Sequence, residues 1–239
     1  MAHLRTHSNN VLILTGHFGM GHMSAAQAVR ERILAERPDA RVTIIDFFAQ
    51  VSPDLSKTVY RLFNFWTRYC PGLYNKLNAV SCHVNKVPLD RKMIKKINNL
   101  IASSNADAVV STLPFCSQCI STFKKTTHNP IPLYTYITDV VAHEEWIASE
   151  TTGYYVGAQL TKNCLEKHGV ESRKITVCGI PVRREFLKTQ NQNQDENPEI
   201  VIMGGGLGLI PLSDELLGIL DGESSLHVTL IAGKNAQLK

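Results

Sequence analysis

The 239-residue chain has no apolar run long enough to cross a bilayer as a helix, which takes about 20 consecutive apolar residues. Its first ten residues, MAHLRTHSNN, lack the apolar core of a secretory signal. Together these absences argue against export. Charge is sparse as well, at 19% of residues with an excess of only +4. So small an excess is compatible with an anionic ligand or an anionic membrane surface, and nucleic acid is not expected as a partner. The six cysteines are scattered, and Cys116 and Cys119 have C-x-x-C spacing without a second pair at zinc spacing. They read as reduced cytosolic thiols, with a redox or zinc role disfavoured. Two phosphate-binding signatures are also missing. Gly16, Gly19 and Gly21 do not fall in G-x-G-x-x-G order, and no Gly-Lys-Ser/Thr comes after them.

What is present is a globular composition, 44% hydrophobic, enough for one large domain or two small ones. The chain is organised around VLILTGHFGMGHMSAAQAV, residues 11 to 29. Val11–Leu14 suits a buried parallel strand, and the Ala-rich run after His22 suits a helix. Between them lies a glycine turn. A helix N-terminus offers unpaired N–H groups, and glycines let a ligand approach the backbone. His22 stands at the mouth of this turn.

Strands and helices then alternate. Strands are expected at Val42–Asp46, Ala108–Thr112, Leu133–Thr138, Gly153–Val156 and Lys174–Val177. Helices are expected at His22–Glu36, Leu89–Ser103, Phe115–Lys125 and Leu160–His168, the last stopped by Gly169. Asp46 ends its strand and reads best as a cap for the next segment. The pattern predicts an α/β fold with a doubly wound parallel sheet, whose ligands sit outside the carboxyl ends of the strands. Gly21, His22, Thr138, Asp139 and Gly179 all fall at such ends. Lys57–Val80 mixes Tyr60, Phe63, Phe65, Trp66, Tyr69 and Tyr74 with Lys57, Arg61, Arg68 and Lys76, broken at Pro71–Gly72. Composition alone favours an amphipathic helical pair covering the sheet over a membrane-interface segment.

Arg183–Pro198 is polar and rich in Gln and Asn, a surface connection. After it the pattern restarts, with a strand at Glu199–Met203, a second glycine turn at Gly204–Gly208, a helix at Ser213–Leu220 and a strand at Leu226–Ala232. The expected division is a disordered N-terminus over 1–10, a first domain over 11–182, a linker over 183–198 and a second domain over 199–239. A second α/β half needs about three βα units of ~30 residues, and only about one and a half are present, so this half reads as unfinished.

The ordered series of these stretches resembles the monogalactosyldiacylglycerol synthase and processive diacylglycerol glucosyltransferase family, a GT-B, glycosyltransferase family 28-like group related to the transferase that completes lipid II. The resemblance rests on Gly19-Met20-Gly21-His22 with Ala25-Ala26, on Thr138-Asp139 with His143 and Trp146, and on Tyr155-Val156 through Gly169-Val170. It continues in Lys174 to Val182 with Phe186, and in Met203 to Gly208. Cys178 stands where the family more often has Thr, and Val140 where an aromatic is common.

The resemblance implies a GT-B fold, an N-terminal Rossmann-like acceptor domain plus the incomplete start of a second Rossmann-like domain that binds the UDP-sugar. It implies inverting transfer of a hexose from UDP-galactose or UDP-glucose to diacylglycerol. The enzyme would be cytoplasmic and peripheral on the inner face of the membrane, without a cofactor or bound metal and with anionic lipid as a partner. His22 would be the base that takes the acceptor proton, its alternative being a capping or core histidine. Asp139 would orient His22 or hold the acceptor, its alternative being strand-end hydrogen bonding. Gly19, Gly21, His143, Trp146 and Trp66 would serve the acceptor, with Trp146 otherwise a packed core ring. Gly179, Pro181, Gly204, Gly205, Gly206 and Gly208 would serve the donor, with the second turn otherwise a packing device. Under the resemblance Lys57–Val80 becomes the membrane-contacting or lipid-acceptor segment. Two further readings stay open: a non-catalytic membrane-binding remnant, and a related transferase acting on a cell-wall lipid.

Overall fold

A computed structural model describes residues 9–69, 89–187, 199–208, 210, 214–222 and 226–236. It falls into two units, Met1–Leu187 and Lys188–Lys239. In the first, six parallel strands are ordered β2-β1-β3-β4-β5-β6. They are β1 (Asn10–Thr15), β2 (Arg41–Asp46), β3 (Ala108–Ser111), β4 (Leu133–Tyr136), β5 (Gly153–Val156) and β6 (Ile175–Val177). The helices are α1 (Gly21–Glu36), α2 (Phe47–Val51), α3 (Pro53–Tyr69), α4 (Arg91–Ser103), α5 (Pro114–Thr127) and α6 (Gln159–Lys167).

The period-2 alternation of β1 sorts its residues onto two faces. Leu12 and Leu14 join Val109, Leu133, Ile97, Leu100, Ile120 and Phe123 in one core layer. Val11 and Ile13 join Ala26, Val29, Val42 and Val110 in the other, under α1. The small Ala25, Ala26 and Ala28 are buried, so α1 lies close to the sheet. A third cluster joins Ile137, Trp146, Tyr154, Val156 and Leu165. The chain leaves β1 toward β2 and then returns past β1 to β3, so the strand order reverses between β1 and β3. A crevice opens at the carboxyl ends of strands where the order reverses in this way.

Several elements differ from expectation in instructive ways. Asp46 caps α2, accepting from the Ala49 N–H at 3.1 Å, but the short helix that it caps was not anticipated. The helix expected from Phe115 begins one residue earlier, at Pro114, because the first helical position needs no N–H. Asn9 and Asn10, inside the stretch expected to be disordered, bond the Asp107 carboxylate through their amides, and residues 1–8 lie outside the described residues. In Lys57–Val80, residues 57–69 continue α3, with Leu62 and Phe65 about half exposed and Tyr60 turned inward; residues 70–80 lie outside the described residues. In the expected linker, Arg184–Leu187 forms a single turn whose Arg184 N–H reaches the Glu31 carboxylate, and residues 188–198 lie outside the described residues.

In the second unit β7 (Glu199–Met203) pairs in parallel with β8 (His227–Ile231), and α7 (Asp214–Gly222) lies between them in the chain. Gly205–Leu207 makes one tight turn after β7.

Phe123 is fully buried in the first core layer. Its replacement by alanine should lower unfolding free energy by about 3–5 kcal/mol in urea titration. Leu160→Ala, at a position 58% exposed, should change it by less than about 0.5 kcal/mol.

Candidate active site

His22 is the second residue of α1, directly beyond the turn that leaves β1. Its Nδ1 lies 2.7 Å from the Thr112 carbonyl, just past the end of β3, and 3.1 Å from the Thr138 hydroxyl past the end of β4. A carbonyl only accepts, so Nδ1 carries the hydrogen and Nε2 keeps its lone pair. Nε2 has no partner among the described residues. The Thr112 hydroxyl lies 3.0 Å from the His22 carbonyl and 2.9 Å from the Thr15 hydroxyl, fastening the ring's backbone to both strands. Burial lowers the pKa of the imidazole below its ordinary 6.5, while the Thr112 carbonyl and the charge of Asp139 pull it partly back. The ring is therefore neutral at pH 7.

His22 borders a pocket of about 490 Å³. Asp139, His143, Glu145 and Trp146 supply the rest of its polar lining, and Phe18, Phe48 and Phe115 form an aromatic wall. Phe48 stacks on Phe115 at 4.6 Å, and Phe18 meets Phe48 edge-on at 5.2 Å. Trp146 is fully buried in the third core cluster, yet its indole N–H donates to Asp139 Oδ2 at 2.7 Å. The ring is therefore packed in the core, while its N–H reaches the Asp139 carboxylate at the pocket. Asp139 does not bond His22. The orienting contacts come from Thr112 and Thr138, and Asp139 acts on the imidazole through charge.

The pocket therefore gathers His22, Asp139, His143 and Trp146 from the sequence reading. Gly19 and Gly21 do not border it. Gly19 is needed for its positive φ of 75°, whereas a side chain at Gly21 would meet open space. Trp66 lies on α3 at a position whose side chain is outside the described residues. Gly179 adopts φ 81° after β6, and Pro181 comes two residues later half-buried, neither bordering the pocket. In the second unit Gly208 has φ 66°, and a Cβ there would collide with the Ala232 carbonyl, so packing requires this glycine. Gly204, Gly205 and Gly206 precede it in the same turn. The sequence reading missed the aromatic wall. Its signal was position, since Phe18 sits inside the glycine turn and Phe115 directly follows the Pro that opens α5. Cys116 and Cys119 are buried on α5, and burial pushes the Cys119 thiol up to about 12 and Cys116 well up too. Burial thus disfavours the reactive thiolate at both positions.

A family model described as monogalactosyldiacylglycerol (MGDG) synthase matches residues 22–182. The processive diacylglycerol beta-glucosyltransferases of Bacillus cytotoxicus and Bacillus cereus are each 28% identical over 251 aligned residues, covering 96% of this chain. The chain spans 61% of the length of those relatives. Among solved structures, the S. aureus MnaA–UDP co-structure aligns with TM-score 0.54 at 10% identity, over 95% of this chain and 64% of that one. Anabaena HepE in complex with UDP-glucose aligns with TM-score 0.52 at 11% identity, over 95% and 62%. At such identities these likenesses speak for the fold, which is α/β of the GT-B type. No helix among the described residues is long and apolar enough to cross a membrane.

The His22 ring protons should titrate by NMR with a midpoint below 6.5, and Asp139→Asn should move it lower still, because a charge that favours the imidazolium is gone. A wild-type midpoint at or above 6.5 would contradict the buried neutral ring. The same shift affects stability. The unfolded chain takes up this proton near 6.5 and the folded chain only at lower pH. Stability should therefore fall as pH drops from 6.5 through the folded midpoint, and His22→Gln should remove that component from denaturation midpoints measured across the window.

Proposed function

The chain belongs to the monogalactosyldiacylglycerol synthase family, and on that premise we propose that it provides the acceptor side of an inverting UDP-hexose transferase that glycosylates diacylglycerol at a membrane surface. The observation that carries the reading is a neutral imidazole with an unbonded Nε2 on an aromatic-walled pocket. An alcohol is a weak nucleophile at neutral pH until a base removes its proton. In the proposed reaction the free glycerol oxygen attacks the anomeric carbon, Nε2 takes the hydroxyl hydrogen, and UDP leaves with the bonding electrons from the opposite face. The attack inverts the configuration. Asp139 steadies the imidazolium as it forms, held in place by the Trp146 N–H. The Phe18, Phe48 and Phe115 wall takes the apolar glycerol-ester end, beside His143 and Trp146.

The remaining roles belong to the same proposal. Residues 11–182 would form the acceptor domain, 183–198 the linker and 199–239 the donor side. Gly19 and Gly21 would give the acceptor a path along the first turn. Gly179 and Pro181, with Gly204, Gly205, Gly206 and Gly208, would meet UDP-glucose or UDP-galactose. Helix α3, with exposed Leu62 and Phe65 beside Lys57 and Arg61 and with Trp66 further along, would rest on anionic lipid at the inner face of the membrane. The mechanism asks for no bound metal.

The test uses the natural polypeptide carrying this sequence, vesicles of diacylglycerol and phosphatidylglycerol, and radiolabelled UDP-glucose or UDP-galactose. Labelled glycolipid is expected with one of the two sugars, and His22→Ala should lower kcat by about 10²–10⁴ with little change in the acceptor KM. Absence of glycolipid with both sugars, or a His22→Ala variant as active as wild type, would sink the proposal.

A further inference from the structure

Tyr60, on α3, reaches back to the first glycine turn. Its hydroxyl donates to Asp46 Oδ1 at 2.7 Å and accepts the His17 backbone N–H at 3.2 Å. Its ring meets Phe18 edge-on at 5.0 Å and Phe48 at 6.1 Å. Gly16 gives it room, since a Cβ there would stand 3.2 Å from the Tyr60 oxygen and 3.1 Å from Leu113 Cδ2. Asp46, the far anchor, is itself fixed as the cap of α2, and His17 Nε2 lies 3.6 Å from its other oxygen. One phenol thus ties three pieces together: the end of β2, the backbone of the turn between β1 and α1, and α3. Phe18, which borders the pocket with His22, comes directly after the amide that Tyr60 holds.

We propose that Tyr60 is a positioning residue for the acceptor pocket, acting through the His17–Phe18 backbone to hold the aromatic wall opposite the polar lining. This rests on the acceptor reading of the pocket above. His22 has its own anchors, Thr112 and Thr138, and the hydrogen bonds of Tyr60 go instead to Asp46 and His17. Loosening the turn therefore widens or collapses the wall without disturbing the base. The physical division predicts a split in the kinetics: a loss in acceptor binding with the chemical step retained.

Tyr60→Phe keeps the ring and removes both hydrogen bonds. In the natural polypeptide it should raise the KM for dioctanoylglycerol about tenfold, the scale of a lost bond to a charged acceptor, while kcat, the UDP-sugar KM and the acid limb of the pH profile stay put. Hydrogen exchange at residues 16–20 should rise at the same time, with α4 and α5 unchanged. Asp46→Asn is the second variant, because asparagine still caps α2 and only weakens the phenol's acceptor. It should move acceptor KM and exchange in the same direction by a smaller factor. An unchanged acceptor KM in Tyr60→Phe, or a fall in kcat with a shifted acid limb, overturns the proposal. Should wild type transfer no sugar, the acceptor reading fails separately, and exchange at residues 16–20 decides the tether alone: faster in Tyr60→Phe upholds it, unchanged refutes it.

Discussion

The hydrogen bond from His22 Nδ1 to the Thr112 carbonyl is the constraint on which the site depends. It joins the start of α1 to the loop that leaves β3, and it exists because β1 and β3 are neighbours in the sheet. A strand order that separated β1 from β3 would carry these two ends apart. The bond also settles chemistry, since it assigns the ring hydrogen to one nitrogen and leaves the other bare. A carbonyl acceptor does this without adding a charge. The ring is thus oriented by a neutral group, and its basicity is set by burial and by the carboxylate of Asp139.

Orientation and charge are divided between different residues. Thr112 and Thr138 point the ring, while Asp139 is turned toward Trp146 and influences the imidazole through space. The division has a physical advantage. A carboxylate bonded directly to Nδ1 would raise the imidazole's pKa strongly, whereas a carboxylate held by an indole N–H supplies field without direct contact. The aromatic wall works toward the same end. Rings at Phe18, Phe48 and Phe115 lower the local polarity, and low polarity penalises the imidazolium. An aromatic-walled pocket of this kind is then also one that favours the neutral imidazole.

Much of this was legible in the sequence because it is local. The buried run at Val11–Leu14, the helix after the glycine turn, the Asp46 cap and the glycine stop at Gly169 each depend on residues within a few positions of one another. His22 and Asp139 were legible as strand-end residues once an α/β alternation was granted. What holds His22 was legible only in part. Thr138, 116 residues away, was grouped with it as a strand-end residue, but Thr112, 90 residues away and the closer partner, was not. The aromatic wall was hidden for the same reason, since Phe18, Phe48 and Phe115 come from three separate loops and helix starts. The first glycine turn was read correctly as a turn, and the geometry shows local demands that the sequence did not. Gly16 makes room for Leu113 and Tyr60, Gly19 supplies a positive φ, and Gly21 is not forced by geometry at all.

The second glycine turn obeys a different logic, and the contrast narrows what it can do. In it the Gly208 N–H is spent on the Gly205 carbonyl at 3.1 Å, and the Gly206 and Gly208 carbonyls accept from Lys234 N–H and Asn235 Nδ2. A Cβ on Gly233 would press within 2.9 Å of Gly206 O and the Gly208 nitrogen. The two loops at the ends of β7 and β8 thus lock onto one another through glycines that have no room for side chains. Gly208 is part of that lock, and its amide is not available to an anion without breaking it. Of the four glycines read as donor contacts in this turn, Gly208 closes it, whereas a side chain at Gly205 would meet only open space.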